Sequence, residues 1–213
     1  PGGPDLMLEV ALLFGLADER GRRVRAAALA PINGRGELLG ADEANPFRAA
    51  LHLLAASLER LGSFRSEDLD LRRLGGLLPV DRDWLLVHLN RLTFGDVRYQ
   101  TVVCPQESCG KRVDIRLDLT TLTPPPIPLE LAARLALPDG SEVGYRLPTA
   151  GDQIALYGLP PAEREAGFLE RCILAGVPPT LGPREVMALP DDVRAAIVGE
   201  TEAFGSELKN EGN

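Results

Sequence analysis

The sequence has 213 residues, of which 45% are hydrophobic, and it has a formal net charge of −8 with a pI of about 4.9. This length suffices for a hydrophobic core in one large domain or two small ones, and the acidic balance disfavours nucleic acid as a partner. Three cysteines are too few for a disulfide framework, and no apolar run approaches the roughly 20 residues that a membrane span needs. We therefore expect a cytoplasmic protein with no membrane partner.

Residues 1–44 are predicted to form an N-terminal β-hairpin region. Leu6 to Leu16 is a near-continuous apolar run, Asp18 to Gly21 reads as a turn, and Val24 to Ala30 is a second apolar run. Run length and flanking glycines favour strands, although the first run alone could equally be a buried helix. A further turn is predicted at Asn33 to Gly36.

Residues 45–122 are predicted to combine helices with a second hairpin that contains cysteines. The Asn45-Pro46 pair is typical of a helix start, and leucines at three- and four-residue spacing extend this helix to Leu61. A shorter helical segment should open at Ser66 and end by Gly75.

A central helix is predicted from Asp81 to Leu92, with Asp81 as its N-cap and a broad apolar side. Two strands follow, from Val97 to Val103 and from Val113 to Leu119. In each strand apolar residues alternate with polar ones, which is the period of half-buried strands. We expect this hairpin to pack on the helix.

Residues 123–128 contain four prolines and should form a stiff connector, because proline fixes φ and removes an amide donor. Residues 129–213 are predicted to form another hairpin around the Asp139-Gly140 turn and then a helical C-terminal third. The predicted helices span residues 152–157, 162–175, 183–189 and 190–208, with a disordered tail at 209–213.

Cys104 and Cys109 are the candidate metal ligands. Thiolates in the turn between two strands are how zinc ribbons hold their metal, but zinc needs four ligands. The sequence offers no second pair, because Cys172 belongs to an apolar helix face and His52 and His88 each stand alone. Two reduced thiols, or a disulfide within the loop, are favoured over a complete zinc site, and we expect no other cofactor.

We expect the chain not to be an enzyme. With two histidines and no Gly-x-Ser-x-Gly motif, a nucleophile, a base and a stabilising group cannot all be assigned. The glycine-rich places lack the Lys-Ser/Thr ending of a phosphate loop. Paired carboxylates such as Asp191-Asp192 lie at helix starts, where capping explains them. The catalytic site is therefore predicted to be absent.

Several stretches of the chain resemble one family, the baseplate hub assembly chaperones of T-even phages and of phage-derived contractile injection systems. The similarity covers most of residues 6–175 and rests on an Asp-Arg-Asp to Thr-Phe-Gly-Asp run combined with a Leu-Pro-Thr-x-x-Asp run. The similar stretches are Leu12–Leu39, Asn45–Leu61, Leu78–Gly95, Cys104-Pro with Cys109-Gly, Val113–Leu119, Tyr145–Gln153 and Phe168–Leu174.

This resemblance implies a non-enzymatic structural or assembly (chaperone) protein of a baseplate, with baseplate or tail proteins as partners. It also implies a place in the cytoplasm or in an assembled phage-like particle, and it is compatible with a homo-oligomer. Relatives with this pattern have a second Cys-Pro-x-Cys-Gly knuckle that would complete a zinc site, and the printed sequence contains none. The alternative is a zinc-ribbon-type binding module of another pathway.

Together these patterns predict an α+β fold in which β-hairpins, one of them resembling a degenerate zinc ribbon, pack on short helices.

Overall fold

The computed structural model describes residues 7–106, 109–123, 131–137, 140–174, 180–181 and 183–199. Within these ranges the chain is a mixed α+β protein with small, largely antiparallel sheets, as the sequence predicts. The strands are β1 (Leu8–Ala17), β2 (Arg23–Leu29), β3 (Leu58–Leu61), β4 (Phe64–Arg65), β5 (Val97–Val103), β6 (Arg112–Asp118), β7 (Ala132–Ala136), β8 (Glu142–Arg146), β9 (Ile173–Leu174) and β10 (Thr180–Leu181). The helices are α1 (Gly34–Ala41), α2 (Pro46–Ser57), α3 (Leu71–Leu74), α4 (Pro79–Phe94), α5 (Ala150–Leu156), α6 (Pro161–Cys172), α7 (Pro183–Met187) and α8 (191–199).

The first sheet has the strand order β1-β2-β3-β4, so it crosses the predicted division at residue 44. The predicted hairpin of β1 and β2 is confirmed, and its turn is closed by Asp18, whose N–H donates to the Arg22 carbonyl at 2.8 Å. The sheet packs against α2 and α4 around fully buried leucines. They include Leu29, Leu51, Leu54, Leu61, Leu85 and Leu89.

Helix α2 begins as predicted, because the Asn45 side chain accepts hydrogen bonds from the N–H groups of Phe47 and Arg48. The predicted extension to Leu61 is wrong, since the helix ends at Ser57 and Leu58 to Leu61 form β3 on the edge of β2. The leucines stay buried in the strand, so apolar spacing could not distinguish the two structures.

The predicted turn at Asn33 to Gly36 is also wrong, because α1 begins at Gly34. Helix α1 lies close to α2, since a Cβ atom built on Gly40 would be 3.6 Å from the Ala49 carbonyl oxygen, at van der Waals contact. The segment is helical although glycine has a low helix propensity.

Helix α4 begins two residues before the predicted start, with Leu78 as its N-cap and Pro79 at its first position. Asp81 is therefore not the cap. Its fully buried carboxylate instead accepts hydrogen bonds from the backbone N–H groups of Leu13 at 2.7 Å, Phe14 at 3.1 Å and Gly15 at 2.7 Å.

These three residues form an irregularity in β1, where the register with β2 shifts between Ala11 and Leu16. Gly15 has φ +74°, and a Cβ atom there would lie 2.2 Å from the Val24 carbonyl oxygen, so only glycine fits. Arg23 donates to the carbonyls of Phe14 at 3.1 Å and Gly15 at 2.5 Å. A carboxylate and a guanidinium thus satisfy the backbone that the ladder leaves unpaired.

The second sheet pairs β7 with β8 as predicted, and β8 also pairs with β9 and β10. The predicted helix 162–175 is confirmed only as far as Cys172, because Ile173 and Leu174 form β9 opposite Tyr145 and Gly144. A small core of Val143, Leu169, Ile173, Val186 and Ile197 lies between this sheet and α6 to α8. Residues 124–130 of the proline connector, residues 138–139 of the Asp-Gly turn and the chain after residue 199 lie outside the described residues.

The two sheets are joined where α3 meets the start of α5. The Gly151 N–H donates to the Gly75 carbonyl and the Ala150 N–H to the Leu77 carbonyl, both at 2.8 Å. A Cβ atom on Gly151 would lie 3.1 Å from the Gly75 oxygen, so two glycines allow this close approach.

Asp152 fixes the first turn of α5. Its carboxylate accepts hydrogen bonds from the Thr149 N–H at 2.8 Å and from Arg146 at 2.7 Å, while the Thr149 hydroxyl accepts from the Asp152 N–H. Burial by itself would raise the pKa of Asp152, but the donors on Arg146 and Thr149 outweigh it and hold the pKa below the ordinary carboxyl range.

We expect Asp81→Ala to lower the free energy of unfolding by about 3 kcal/mol or more, because three buried N–H groups lose their acceptor. Urea unfolding followed by circular dichroism measures this change. Asp42→Ala removes an exposed carboxylate and is the control, with an expected change within about 0.5 kcal/mol. Equal stability of the two variants would contradict the assignment of Asp81 as the anchor of β1.

The second buried carboxylate, Asp152, is tested by the pH dependence of the stability lost in the Asp152→Asn variant. The pKa of Asp152 in the folded protein is depressed, so its stabilisation is fully present above the unfolded pKa and is lost as pH falls through the folded pKa. We expect Asp152→Asn to cost about 1.5–3 kcal/mol at pH 7 and progressively less in acid. If the stability difference between the wild type and Asp152→Asn stays constant from pH 7 to pH 3, the ionised Asp152 carboxylate is not the source of that stability.

Candidate functional site

The hairpin of β5 and β6 leaves the core at the end of α4 and is tied to that helix at its root. Gly95, with φ +91°, ends the helix, and its N–H donates to the Arg91 carbonyl at 2.8 Å. Arg98 donates to Oδ1 of Asn90 at 2.8 Å, and its guanidinium lies 4.6 Å from the centre of the Phe94 ring. The last turn of α4 therefore sets the direction of the hairpin.

The register of the two strands determines which side chains share a face. Val97 lies opposite Asp118 and Val103 opposite Arg112, so odd-numbered residues of β5 pair with even-numbered residues of β6. Residues opposite each other point to the same face of a sheet. Both strands have most of their apolar side chains at odd positions, so the two apolar sets fall on opposite faces.

As a result, neither face of the hairpin is buried. On one face Tyr99 is 76% and Val103 is 60% exposed, and on the other Val113 is 50% and Leu117 is 42% exposed. The predicted strands are confirmed, but the prediction that they are half-buried against a helix is wrong. The hairpin therefore exposes apolar side chains on both faces, which no described residue covers.

Both outer edges of the hairpin are also unpaired within the described residues, since β5 and β6 pair only with each other. Near the tip, the Cys104 N–H donates to the Lys111 carbonyl at 2.9 Å, and at the root the Leu119 N–H donates to the Asp96 carbonyl at 2.8 Å. An antiparallel ladder alternates between bonded and non-bonded pairs. The odd-numbered residues of β6 therefore bond to β5, and the even-numbered ones present their N–H and C=O groups to the free edge.

The same alternation applies to β5. Its even-numbered residues bond to β6, which leaves the backbone groups of Val97, Tyr99, Thr101 and Val103 at its outer edge. Tyr99 and Val103, which are the most exposed apolar side chains of the hairpin, thus lie on the strand positions that a docking strand would meet.

The tip of the hairpin contains the predicted thiol pair. Cys104 and Cys109 are free and half-buried, and the Cys109 N–H donates to the Gln106 carbonyl at 2.9 Å. Gly110, with φ +57°, allows the return into β6. In the part of the chain that the structure describes, no group of three or more His, Cys, Asp or Glu side chains could hold a metal ion. The two thiols supply half of a tetrahedral zinc site.

The remaining candidates are structural or isolated. Cys172 is fully buried, and burial raises the pKa of its thiol to about 11, as expected for a core residue. His88 packs edge-on against Trp84 with ring centres 4.6 Å apart, and burial and then Arg91 lower its pKa. Nδ1 of His88 has no hydrogen-bond partner among the described residues. His52 lies half-buried on α2.

The described surface also has a polar cleft of about 410 Å³ beside the turn of β1 and β2. Its lining includes three carboxylates and three guanidinium groups, of which Arg22 and Asp18 form an ion pair at 2.9 Å, while Arg73 lies 4.1 Å from the ring centre of Phe64. The lining residues are Asp18, Glu19, Arg20, Arg22, Ser63, Phe64, Asp68 and Arg73. This balanced cleft does not select one charge of ligand.

The sequence located the hairpin and its thiols and indicated that an edge strand could extend the hairpin near Pro105 to Lys111, but it did not reveal the exposure of Tyr99. That exposure depends on the register between the strands, which the loop sequence does not determine. No protein-family model matches the chain, and neither a curated protein nor a solved structure is significantly similar to it. No helix among the described residues is long and apolar enough to cross a bilayer.

The thiols give a direct test of the tip. After reduction and desalting without chelator, we expect a thiol reagent at pH 8 to label Cys104 and Cys109 in the native chain, and Cys172 only after unfolding. The Cys104→Ser/Cys109→Ser variant is the control and should show no native labelling. Native protection of both thiols, relieved by a chelator together with release of one zinc per chain, would contradict the incomplete site.

Proposed function

We propose that this chain is a non-enzymatic structural or assembly protein of the baseplate of a contractile injection system. The observation that carries the proposal is the hairpin of β5 and β6, which combines exposed apolar side chains with two open strand edges. Soluble proteins usually protect such edges, and an exposed one is a template for pairing with another chain. The resemblance of the Asp81 and Asp152 runs to the baseplate hub chaperones supports the same reading.

The binding mode we propose is strand addition at the outer edge of β5. A partner strand would bond to the outward backbone groups of Tyr99, Thr101 and Val103, and its apolar residues would cover Tyr99 and Val103. The root of the hairpin is fixed on α4, so little order has to be created when the partner binds. A baseplate subunit that exposes a strand before its symmetric neighbour arrives fits this surface.

The alternative is a zinc-ribbon-type binding module of another pathway, favoured by two half-buried thiols in one strand connection. In this reading the hairpin is a degenerate zinc ribbon, and its partner or a second chain completes the metal site. If a second copy of this chain completes the site, bound zinc would protect Cys104 and Cys109 from labelling in the purified protein, and if a partner completes it, the same protection is expected only in the complex with that partner.

Particles purified from cells that lack this gene test the role. We expect them to lack normal baseplates, and we expect the wild-type chain to restore them. With the Tyr99→Glu/Val103→Glu chain, the number of particles that have a baseplate should be at least about tenfold lower than with the wild-type chain, because buried aromatic anchors dominate protein interfaces. Electron microscopy of the purified particles measures the fraction with a baseplate.

Leu38→Glu is the matched control, since Leu38 on α1 and Tyr99 are both 76% exposed, and it should restore particles fully. Normal baseplates in the deletion strain would refute the proposed function. Full restoration by the Tyr99→Glu/Val103→Glu chain would refute the proposed docking surface but not the proposed baseplate function.

A further inference from the structure

The outer edge of β6 differs from that of β5 in its charges. The strand reads Arg112-Val113-Asp114-Ile115-Arg116-Leu117-Asp118, and its even-numbered residues, which bear all four charges, present their backbone groups to the free edge. Charged edge residues usually oppose pairing with unrelated strands. In β6, however, the order of the four charges is symmetric about the centre of the strand, with Arg and Asp exchanged.

Reversing the strand about Ile115 exchanges every charge for its opposite. In an antiparallel pair of two such strands centred on Ile115, Arg112 would face Asp118, Asp114 would face Arg116, Val113 would face Leu117, and Ile115 would face its own copy. Opposite charges and apolar residues directly across from each other both stabilise a strand pair, whereas like charges destabilise it. The strand is therefore complementary to itself.

The hydrogen-bonding pattern allows this register. Pairing about Ile115 matches even-numbered residues with even-numbered ones, and these are the residues whose N–H and C=O groups point away from β5. If the partner strand shifts by one residue, the backbone groups that point away from β5 in one copy would lie opposite residues whose backbone groups are already bonded to β5 in the other copy. A shift by two residues would bring Arg112 opposite Arg116 and leave Asp114 opposite its own copy, which is unfavourable.

Strand β5 lacks this property. Centred on Gln100, it would place Val97 against Val103, Arg98 against Val102 and Tyr99 against Thr101, with no compensating carboxylate. We propose that two copies of this chain associate through β6, which pairs antiparallel with β6 of the second copy about a two-fold axis at Ile115. The contact is isologous and closes with two copies, so it does not propagate into a fibre.

The pairing would give the resulting four-stranded sheet two different faces. Val113, Ile115 and Leu117 lie on one face, so the two copies together form a continuous apolar strip across the axis. The other face would have a row of alternating Arg and Asp side chains. Asp114 accepts a hydrogen bond from Thr101 at 2.6 Å, and Oδ1 of Asp118 accepts two from Thr120, at 2.6 and 3.1 Å, while Oδ2 lies 3.6 Å from Arg116 of the same strand. A carboxylate has about four acceptor sites, so both retain capacity for an arginine of the second copy.

The inference goes beyond the baseplate role, because it concerns copies of this chain and uses the edge that the proposed partner strand does not. If the wild-type chain is monomeric, the proposed dimer is excluded, and the baseplate proposal is still tested by its own experiment. An unrelated strand bound at β6 would not require the charge symmetry, and the experiment below distinguishes the two.

Charge exchange in the full-length chain is the first test. By analytical ultracentrifugation, Arg116→Asp alone and Asp114→Arg alone should each weaken self-association at least about tenfold, because each sets like charges across the axis at two places. An equimolar mixture of these two variants restores every opposite-charge pair and should form a heterodimer at wild-type concentrations. Arg22→Asp, on an exposed turn of the first sheet, is the control and should leave the dimer unchanged.

A crosslink tests the register. In a Cys104→Ser/Cys109→Ser background, Ile115→Cys should form an intermolecular disulfide rapidly, because a non-bonded pair across the axis has Cα atoms about 4.5 Å apart. Val113→Cys is the matched control and should crosslink at least about tenfold more slowly, although Val113 is 50% exposed and Ile115 only 37%. A wild-type chain that stays monomeric, a dimer insensitive to Arg116→Asp, or equal crosslinking of the two variants would each overturn the proposal.

Discussion

The buried carboxylate of Asp81 is the interaction on which the rest of the structure depends. It accepts hydrogen bonds from three successive N–H groups of β1 and thereby attaches the first turn of α4 to the irregular part of the first sheet. Because α4 continues without interruption to Phe94 and Gly95 leads directly into β5, this attachment also sets where the exposed hairpin emerges. A carboxylate without these donors would be costly to bury, so the irregular backbone and the acid require each other.

A second polar network joins α4 to α5. Arg82, which is only 5% exposed, donates to the exposed Asp83 at 2.8 Å and to Gln153 at 2.6 Å, and Gln153 follows Asp152, the third residue of α5, whose carboxylate belongs to the capping box of that helix. The two runs on which the family resemblance rests thus contribute buried capping and anchoring groups. The buried charged residues of these runs, Asp81, Arg82 and Asp152, are explained by folding.

The hairpin of β5 and β6 is held at its root by α4, but its sheet has only two strands. A two-stranded sheet alone is marginally stable in water, and here Arg98 links it to Asn90 and Phe94 of α4. Its apolar side chains are divided between two faces, so no single helix could cover them. Additional strands at either edge would extend both faces at once, which is the binding mode proposed above for this hairpin.

The sequence by itself determined the elements whose signals are local. The Asn45-Pro46 start of α2, the hairpin of β1 and β2, and the thiol turn between β5 and β6 follow from capping, turn residues and alternation within a few positions. The tertiary structure alone decided what depends on distant partners. Leu58 to Leu61 became a strand because β2 offered an edge, and Asp81 became an anchor because β1 offered N–H groups from residues 66 to 68 positions away. The face on which each apolar side chain of the hairpin lies was decided by register, since a shift of one residue between strands exchanges the faces while the sequence of each strand stays the same.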